Sequence, residues 1–236
     1  MAIEKAVIIG GTSGIGLAAA RRLREKGLEV IAAGRDAERA AKAAEENPGL
    51  TVARVDATSG TQIEAFFRSH AVIDHLILSV TGTKGAGKLN QLSVEELREG
   101  FELKFFAQFQ AAQLAIPFLQ PRGSLTFVSA ISARAAHAGT AGLAAINGAI
   151  EAMVKPLARE LAPLRVNAVS PGVVETPWWD RLAPEMRRKL LTESAAATLV
   201  GRNGTADDLA DAIAFLTGNS FVTGTILEVD GGLRLS

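Results

Sequence analysis

Near its beginning the chain reads Val7-Ile8-Ile9-Gly10-Gly11-Thr12-Ser13-Gly14-Ile15-Gly16. The three apolar residues predict a strand, the loop that follows has the spacing G-x-x-x-G-x-G, and an Ala-, Leu- and Arg-rich run from Leu17 to Lys26 predicts a helix. A tight strand-to-helix turn needs the backbone freedom of glycine, and the same freedom lets a pyrophosphate approach the main chain. The amides and the positive dipole end of such a helix attract phosphate. Glycines also serve ordinary turns, but the position between a strand and a helix favours a dinucleotide site.

The composition of the 236 residues indicates the class of protein: 48% are hydrophobic and 21% are charged, which is typical of one sizeable core and of a single domain over 1–236. Basic and acidic residues balance at 25 each, so we expect neither a nucleic-acid surface nor a membrane-binding patch. The chain has no cysteine and only three histidines, which speaks against disulfides, thiolate chemistry and a metal site. Without a basic leader or an apolar run of transmembrane length, we expect a cytoplasmic protein.

Short apolar segments alternate with longer helical patterns along the chain. Continuous apolar runs are typical of strands that are buried on both faces, and the strand–helix–strand repetition predicts an α/β fold. We therefore expect a Rossmann-type, doubly wound parallel β-sheet of about seven strands with helices on both faces. The predicted strands are Lys5–Ile9, Glu29–Ala33, Thr51–Val55, His75–Val80, Ser124–Ser129, Arg165–Ser170 and Thr225–Val229. The predicted helices are Gly14–Lys26, Ala37–Glu46, Thr61–Arg68, Val94–Phe118, Gly142–Leu161 and Ala206–Thr217.

Two helical stretches, 101–119 and 142–161, carry apolar residues around most of their circumference. A helix of this kind is buried all round, either inside the monomer or in a subunit interface, and we favour an interface that forms a homodimer or homotetramer. The segment 177–202 differs, because Trp178 and Trp179 stand there among many charges. It is either an ordinary surface helix or a lid that closes over a substrate.

Four motifs together resemble those of the short-chain dehydrogenase/reductase family, and the resemblance covers nearly the whole chain. They are the glycine loop with Gly10, Gly14 and Gly16; Asp56 after the third strand; Arg165–Gly172 followed by Thr176; and Asp230-Gly231-Gly232. The resemblance implies hydride transfer between a nicotinamide cofactor and a carbonyl or an alcohol. It also implies that Asp56 lies near the adenine ring and that the Pro-Gly pair and Thr176 lie at the nicotinamide end.

The second predicted strand leads into Gly34-Arg35-Asp36, which bears on the choice of cofactor. In a dinucleotide fold a carboxylate at this point bonds the ribose hydroxyl of NAD, whereas an arginine accommodates the 2′-phosphate of NADP. We therefore expect NADP(H), with Asp36 either turned inward or capping the helix that begins at Ala37. The residues expected along the cofactor are Gly10, Thr12, Ser13, Gly14, Ile15, Gly16, Gly34, Arg35, Asp56, Ala57, Ser79, Asn147, Pro171, Gly172, Val174 and Thr176.

At the reaction centre the chain departs from the pattern that the resemblance implies. The family uses a Tyr as proton donor, a Lys that lowers the pKa of that Tyr and holds the ribose, a Ser that polarises the substrate, and an Asn in a proton relay. Leu143, Asn147, Ala130 and Lys104 stand at those four positions, in that order, and the chain contains no tyrosine. The resemblance is thus to an atypical member that lacks the Ser-Tyr-Lys catalytic residues.

Three residues are candidate substitutes for the missing acid, and the catalytic residue is otherwise unknown at this point. Lys104 is able to donate a proton if desolvation lowers its pKa, but we favour the alternative in which it points to solvent or pairs with Glu102 or Glu99. His137 lies in the loop before the helix at 142, where it is either an acid or merely exposed. Ser129 ends a predicted strand, and strand alternation points its side chain away from that of the next residue, where the family's Ser stands.

Two hypotheses of different class follow, and we place the first ahead of the second. The first is an NADP(H)-dependent oxidoreductase with a Tyr-independent mechanism and a small, apolar substrate that needs little proton help, such as an activated double bond or a quinone. The second is a non-catalytic NADP(H)-binding sensor or partner subunit, which the missing acid favours. A non-redox enzyme that has abandoned the cofactor is a third alternative, and the retained Arg35 and Asp56 speak against it.

Overall fold

The continuous apolar runs form a parallel sheet at the centre of the molecule. The computed structural model describes residues 3–236, and its strands are β1 (Lys5–Ile9), β2 (Glu29–Gly34), β3 (Thr51–Arg54), β4 (Ile73–Leu78), β5 (Leu119–Val128), β6 (Arg165–Pro171), β7 (Val174–Glu175), β8 (Gly204–Thr205) and β9 (Ile226–Val229). Seven of them pair in the order β3-β2-β1-β4-β5-β6-β9, and every pair is parallel. The predicted doubly wound parallel sheet of seven strands is confirmed.

Helices cover both faces of this sheet because successive strand residues point to opposite sides. In the described part of the chain the α-helices are α1 (Gly14–Glu25), α2 (Ala37–Glu46), α3 (Gly60–Ser69), α4 (Val94–Gly100), α5 (Ala107–Ala115), α6 (Ala141–Glu160), α7 (Pro184–Ala197) and α8 (Ala206–Gly218). Val7 and Ile9 of β1 pack with α3, α5 and α6, whereas Ala6 and Ile8 pack with α1 and α8. Each fully buried aliphatic side chain contributes about 1.5–3 kcal/mol, so these two layers fix the strand register.

Polar side chains mark where several helices begin. Asp36 accepts a hydrogen bond from the Arg39 amide at the start of α2, and Ser59 and Ser93 accept in the same way at α3 and α4. Each such cap stabilises its helix by about 1 kcal/mol. The interpretation of Asp36 as a helix cap is confirmed.

The predicted helix Val94–Phe118 is helical throughout, but it is not one regular α-helix. A π-helical segment, Phe101–Phe106, separates α4 from α5, and a 3₁₀ turn, Ile116–Phe118, ends the run. A π-helix fits extra residues into its turns and is frequent at functional sites. Lys104 lies in this segment, so the irregular turn sets the direction of its side chain.

A second departure from the prediction lies in the segment 177–202. It begins with a 3₁₀ turn, Pro177–Arg181, and continues as α7. The pair formed by β7 and β8, which the sequence pattern did not predict, brackets the segment and holds both of its ends together. The segment is therefore an excursion from the sheet that is anchored at its base.

Two surface properties complete the description. Phe106, Phe109 and Ile116 are 47%, 42% and 43% exposed, so the stretch 101–119 is not buried all round inside the monomer. The exposed apolar face leaves the subunit-interface alternative open. Within residues 3–236, no helix has the length and the apolar character needed to cross a bilayer.

Candidate active site

A cleft of about 800 Å³ opens at the carboxyl edge of the sheet, where the segments after β1 to β6 form its walls. Parallel α/β sheets bind ligands at this edge. All of the residues expected along the cofactor line the cleft except Gly16, and the candidates Lys104, Ser129 and His137 line it as well. We call the part beside the glycine loop, Arg35 and Asp56 the glycine-loop end, and the part beside Lys104, Leu143 and Asn147 the α6 end.

The glycine loop is shaped by close backbone contacts. Gly10 has a φ of +87°, and a Cβ there would lie 2.6 Å from the carbonyl oxygen of Ser79. A Cβ on Gly16 would lie 2.1 Å from the carbonyl oxygen of Gly10. Gly16 therefore packs beneath the loop and, unlike the other residues expected along the cofactor, does not line the cleft. Glycine at these two positions lets the loop close against β4 and α1.

The N-terminus of α1 is open towards the cleft. Ser13 stands at the N-cap without a side-chain hydrogen bond, and the first turn carries no acidic residue. The first amides of a helix have no partner within the helix, and the dipole makes this end positive. Ser13, Gly14 and Ile15 line the cleft at this point, so their backbone fits the phosphates of a dinucleotide.

Basic side chains lie where β2 ends. Arg35 and Arg39 both line the cleft, and the carbonyl oxygen of Arg35 accepts a hydrogen bond from Nε of Arg54 at 3.2 Å. Asp36 is turned towards α2, where its Oδ1 accepts from the Arg39 amide at 3.0 Å. That backbone hydrogen bond lowers the pKa of the Asp36 carboxyl. The arrangement suits a 2′-phosphate, and Arg39 is a cleft residue that the sequence analysis missed.

Asp56 closes the same end of the cleft. Its Oδ1 accepts from both the amide and the hydroxyl of Thr58, at 3.0 and 2.8 Å. Partial burial raises the pKa of Asp56, but the hydrogen bonds from Thr58 outweigh that effect and the pKa is lowered. A carboxylate held ionised beside Ala57 is an acceptor suited to the amino group of an adenine ring.

Three residues of α6 follow one another on a single face because they are four residues apart. Leu143 and Asn147 line the cleft, and Glu151 lies one turn further along. The Nδ2 of Asn147 donates to the Ser132 hydroxyl at 3.0 Å and to the Leu143 carbonyl at 2.9 Å. Its Oδ1 is buried and has no partner in the described part of the chain. A buried acceptor without a donor fits a ligand hydroxyl, such as one on a ribose.

Lys104 reaches the same place from the π-helical segment. Its Nζ donates to the carbonyl oxygen of Ser129 at 3.0 Å. Burial lowers the pKa of Lys104 to about 8, and the charge of Glu151 opposes that change. The expectation that Lys104 points to solvent or pairs with Glu102 or Glu99 is wrong. Glu99 pairs instead with Lys84, at 3.8 Å.

Ser129 and His137 are weaker candidates for an acid. The Ser129 hydroxyl donates to Oε1 of Glu151 at 2.7 Å and lies 3.3 Å from the carbonyl oxygen of Val169. Its proton is therefore directed away from the cleft, in the direction that strand alternation predicts. His137 lies on the rim, where its side chain is exposed.

A ladder of charges behind the α6 end was also missed. Arg134 donates to Oε2 of Glu151 from two nitrogens, at 3.0 and 2.9 Å. Arg134 also pairs with Glu228, which pairs with Arg234, and Arg234 bonds Asp230 at 2.8 Å. A glutamate inside an apolar helix was the one sequence signal for this charge ladder, because buried carboxylates need partners. Asp230, from the C-terminal Asp-Gly-Gly, thus ends a chain of ion pairs that begins beside Lys104.

The segment 177–202 forms the wall opposite the sheet. The indole N–H of Trp178 donates to the Gly82 carbonyl at 3.2 Å, and the Arg181 guanidinium lies 3.3 Å from the centroid of the Trp178 ring. Trp178 and Trp179 pack edge to face, with ring centroids 4.5 Å apart. The cleft side of the segment is formed by Pro177, Trp178, Trp179, Leu190, Glu193, Ser194 and Ala197. This wall is predominantly apolar.

Known proteins that are similar in sequence to this chain agree with this geometry. Residues 10–234 match a family model described as enoyl-(acyl carrier protein) reductase. The short-chain dehydrogenase/reductase ATR9 of Stachybotrys chlorohalonatus is 30% identical, over 98% of this chain and 97% of its own length. The chain belongs to the short-chain dehydrogenase/reductase family. Another family relative, the 3-oxoacyl-(acyl-carrier-protein) reductase of Thermotoga maritima, is 30% identical over 96% of both chains.

The solved structures of the family give the same result for the fold. A small-chain dehydrogenase whose crystal structure is in complex with NADPH is 33% identical, has a TM-score of 0.88 and matches over the full length of both chains. That neighbour supports the predicted NADP(H) cofactor, and the open α1 terminus and the arginines after β2 fit it. Membership of the short-chain dehydrogenase/reductase family does not by itself identify the substrate of this chain.

Proposed function

We propose that the protein is an NADP(H)-dependent oxidoreductase that reduces an activated double bond or a quinone in a small, apolar substrate, by a mechanism that uses no tyrosine. The observation that carries this proposal is the Lys104 ammonium, half-buried in the cleft and bonded through Nζ to the Ser129 carbonyl. An ammonium has three donors, and this contact uses one of them. The other two remain for a substrate oxygen or water.

The residues at the glycine-loop end would hold the cofactor. The amides of Ser13, Gly14 and Ile15 suit its pyrophosphate, and Arg35 and Arg39 suit its 2′-phosphate. Asp56 and Ala57 border the adenine position. At the α6 end, the unpartnered Oδ1 of Asn147 would accept from a ribose hydroxyl, and the stretch from Pro171 to Thr176 would border the nicotinamide. Bound NADPH would supply the hydride, and the residues of the chain would bind and orient both the cofactor and the substrate.

The acceptor class follows from what the α6 end lacks. A ketone needs a proton on its oxygen as hydride arrives, and a positioned acid typically contributes about 10²–10⁴-fold to that rate. Leu143 carries no proton to give. In an α,β-unsaturated carbonyl or a quinone, hydride adds to a ring or β-carbon and the electron pair moves to a distant oxygen. Lys104 would bond that developing oxyanion, and the carbon or the oxygen is then protonated from Lys104 or water.

Two further observations support this acceptor class. The part of the cleft beside Leu143 is walled by apolar side chains, including Leu103, Ile146 and Trp178. The matching family model is described by the reduction of enoyl groups, which are double bonds conjugated to a carbonyl. Both point to a flat, apolar acceptor in preference to a polyol.

The experiment begins with binding and then adds acceptors. Tryptophan fluorescence is titrated with NADPH and, separately, with NADH, and NADPH consumption is then followed with a panel of quinones, enones and matched saturated ketones. We expect binding that prefers NADPH, and turnover with quinones or enones but not with the ketones. Turnover with ketones alone would overturn the acceptor class. Failure to bind either nucleotide would overturn the whole proposal.

One alternative is supported by a specific observation. The chain has no tyrosine, and the Ser129 hydroxyl is already bonded to Glu151, so neither a tyrosine nor this serine presents a hydroxyl proton to the cleft. A non-catalytic NADP(H)-binding sensor or partner subunit would show the same two features. Tight NADPH binding without turnover on any acceptor of the panel would favour it.

We also propose that the protein assembles as a homodimer or homotetramer through the stretches 101–119 and 142–161. The half-exposed Phe106, Phe109 and Ile116 leave an apolar strip on the first of them, and such strips favour contact with another chain. Light scattering after size-exclusion chromatography measures the mass directly. A monomeric mass at micromolar concentration would contradict this assembly.

A further inference from the structure

Glu151 is a buried carboxylate that no known part of the reaction requires. It is 8% exposed and lies on the apolar helix α6, two turns after Leu143. Burying an isolated charge is costly, so a carboxylate is retained in such a place only with partners for both of its oxygens. Here Oε1 accepts from the Ser129 hydroxyl at 2.7 Å, and Oε2 accepts from Arg134 at 3.0 and 2.9 Å.

Ser129 connects this carboxylate to the cleft through its two polar ends. Its hydroxyl donates to Glu151, and its carbonyl oxygen accepts from Nζ of Lys104 at 3.0 Å. The position of that carbonyl is fixed further by the Ser129 amide, which donates to the Val169 carbonyl at 2.9 Å. The Glu151 carboxylate thus fixes Ser129, and the Ser129 carbonyl in turn accepts the hydrogen bond from the Lys104 ammonium.

The other charged groups around the α6 end do not replace Glu151. Lys84 is paired with Glu96 and Glu99 at 3.7 and 3.8 Å. Glu193 pairs with Lys189 at 3.8 Å and has an exposed side chain. Within residues 3–236, His137 also lines the cleft, Arg134 pairs with Glu151 from behind this end, and Glu228 lies beyond Arg134.

We infer that Glu151 is a positioning residue of the α6 end: it fixes the Ser129 carbonyl that receives Lys104, and it supplies a negative charge behind that ammonium. The inference rests on the proposed function only where it gives Lys104 a role towards substrate. Arg134 completes the arrangement, because it occupies the second oxygen of Glu151 and leaves the first to Ser129.

The sign of the effect follows from the two opposing influences on Lys104. Burial lowers the pKa of Lys104 to about 8, and Glu151 raises it. The ammonium is therefore present below pH 8 and is lost as the pH rises through that value. Without the Glu151 charge the pKa of Lys104 falls further. At pH 7 the protonated fraction of Lys104 would then drop below its value of about nine-tenths.

The test is an NMR titration of the protein labelled with ¹³C at lysine Cε, with the Lys104 signal assigned by its loss in Lys104→Arg. We expect Glu151→Gln, which keeps the shape and the hydrogen-bond acceptor, to lower the titration midpoint of Lys104 by about one pH unit. Glu151→Asp keeps the charge and should retain most of the original midpoint. Glu228→Gln removes a carboxylate one link further along the charge ladder and should not lower the midpoint.

The outcomes separate this inference from the proposed function. An unchanged midpoint in Glu151→Gln, or an equal fall in Glu228→Gln, would overturn it, because general loosening of the ladder would then explain the result. The titration needs no substrate and no turnover. If no acceptor is ever reduced while Glu151→Gln alone lowers the midpoint, the inference stands and the oxidoreductase proposal fails. If turnover is found, its fall at alkaline pH should move by the same amount in Glu151→Gln.

Discussion

The two ends of the cleft are built from different kinds of groups. The glycine-loop end consists largely of backbone: the turn at Gly10, the open terminus of α1 and the residues that directly follow β2 and β3. The α6 end depends on side chains that meet from separate elements, with Lys104 from the π-helical segment and Asn147 from α6. In the first, each position follows from the course of the chain. In the second, each position depends on which side chain stands there.

This difference bears on how freely the residues of each end are able to change. A Cβ at Gly10 or Gly16 would meet a backbone atom within 2.6 Å, so substitution there costs the fold itself. The positions of Leu143 and Asn147 carry no such constraint, because a different side chain still packs on the same helix. The side chains of the α6 end are therefore able to change without altering the backbone of the glycine-loop end.

The largest expected effect on the contrast between the two ends comes from removing the Lys104 ammonium at the α6 end. Lys104→Met keeps a linear side chain that is one atom shorter, and we expect turnover with the preferred acceptor to fall by about 10²–10³-fold, the usual cost of removing one donor to a developing oxyanion. NADPH affinity should change by only a few-fold. Stopped-flow measurement of NADPH consumption, with a fluorescence titration beside it, gives both values.

A matched control is Lys42→Met, which removes an exposed lysine of α2 that pairs with Glu46. It should leave turnover as it was. If Lys104→Met retained most of its turnover, the α6 end would hold some other acid, and His137 on the rim would be the next residue to test.

The two ends of the cleft also differ in how much of their structure can be predicted from the sequence. The β1 strand, the glycine loop and α1 are predictable because apolar runs, glycines and cap residues are local signals. The π-helical segment leaves no mark in the spacing of apolar residues, so Lys104 was expected to face solvent or pair with a neighbouring glutamate. Its real acceptor, the Ser129 carbonyl, lies on another element.

The charge ladder was hidden for a related reason. Arg134, Glu151 and Glu228 belong to a loop, a helix and a strand that are distant in the chain, and only the folded sheet brings them together. A charged residue inside an apolar helix shows that partners exist, but not which ones they are. By contrast, the cap formed by Asp36 is a contact over three residues and was predictable.

A smaller effect is expected at the glycine-loop end, where we propose that Arg35 binds the 2′-phosphate. Arg35→Ala should weaken NADPH binding by about 10–100-fold, because a charge-assisted hydrogen bond contributes about 1.5–3 kcal/mol, and should leave NADH binding nearly unchanged. Isothermal titration with each nucleotide measures the two affinities. Arg122→Ala, near the start of β5 and away from the cleft, is the control with the same loss of charge.

An equal loss for both nucleotides in Arg35→Ala would mean that this arginine serves the fold of the loop and not the 2′-phosphate. Arg39 would then be the candidate for nucleotide preference. Either result sharpens the contrast between the two ends. It would show whether one side chain, that of Arg35, determines nucleotide preference at the end that consists mainly of backbone.

The smallest effect is expected at the segment 177–202, which forms one wall of the cleft. Trp178→Phe keeps an aromatic ring but removes the indole N–H that donates to the Gly82 carbonyl across the cleft. A net hydrogen bond of about 1 kcal/mol predicts a rise of about fivefold in KM for the acceptor, with kcat little changed. The indole N–H of Trp179 donates to Val174 at the base of the same segment, so Trp179→Phe should raise KM less. Equal effects in both variants would indicate that the rings contact the substrate directly, and the bond from Trp178 to Gly82 would then not be what holds the segment over the cleft.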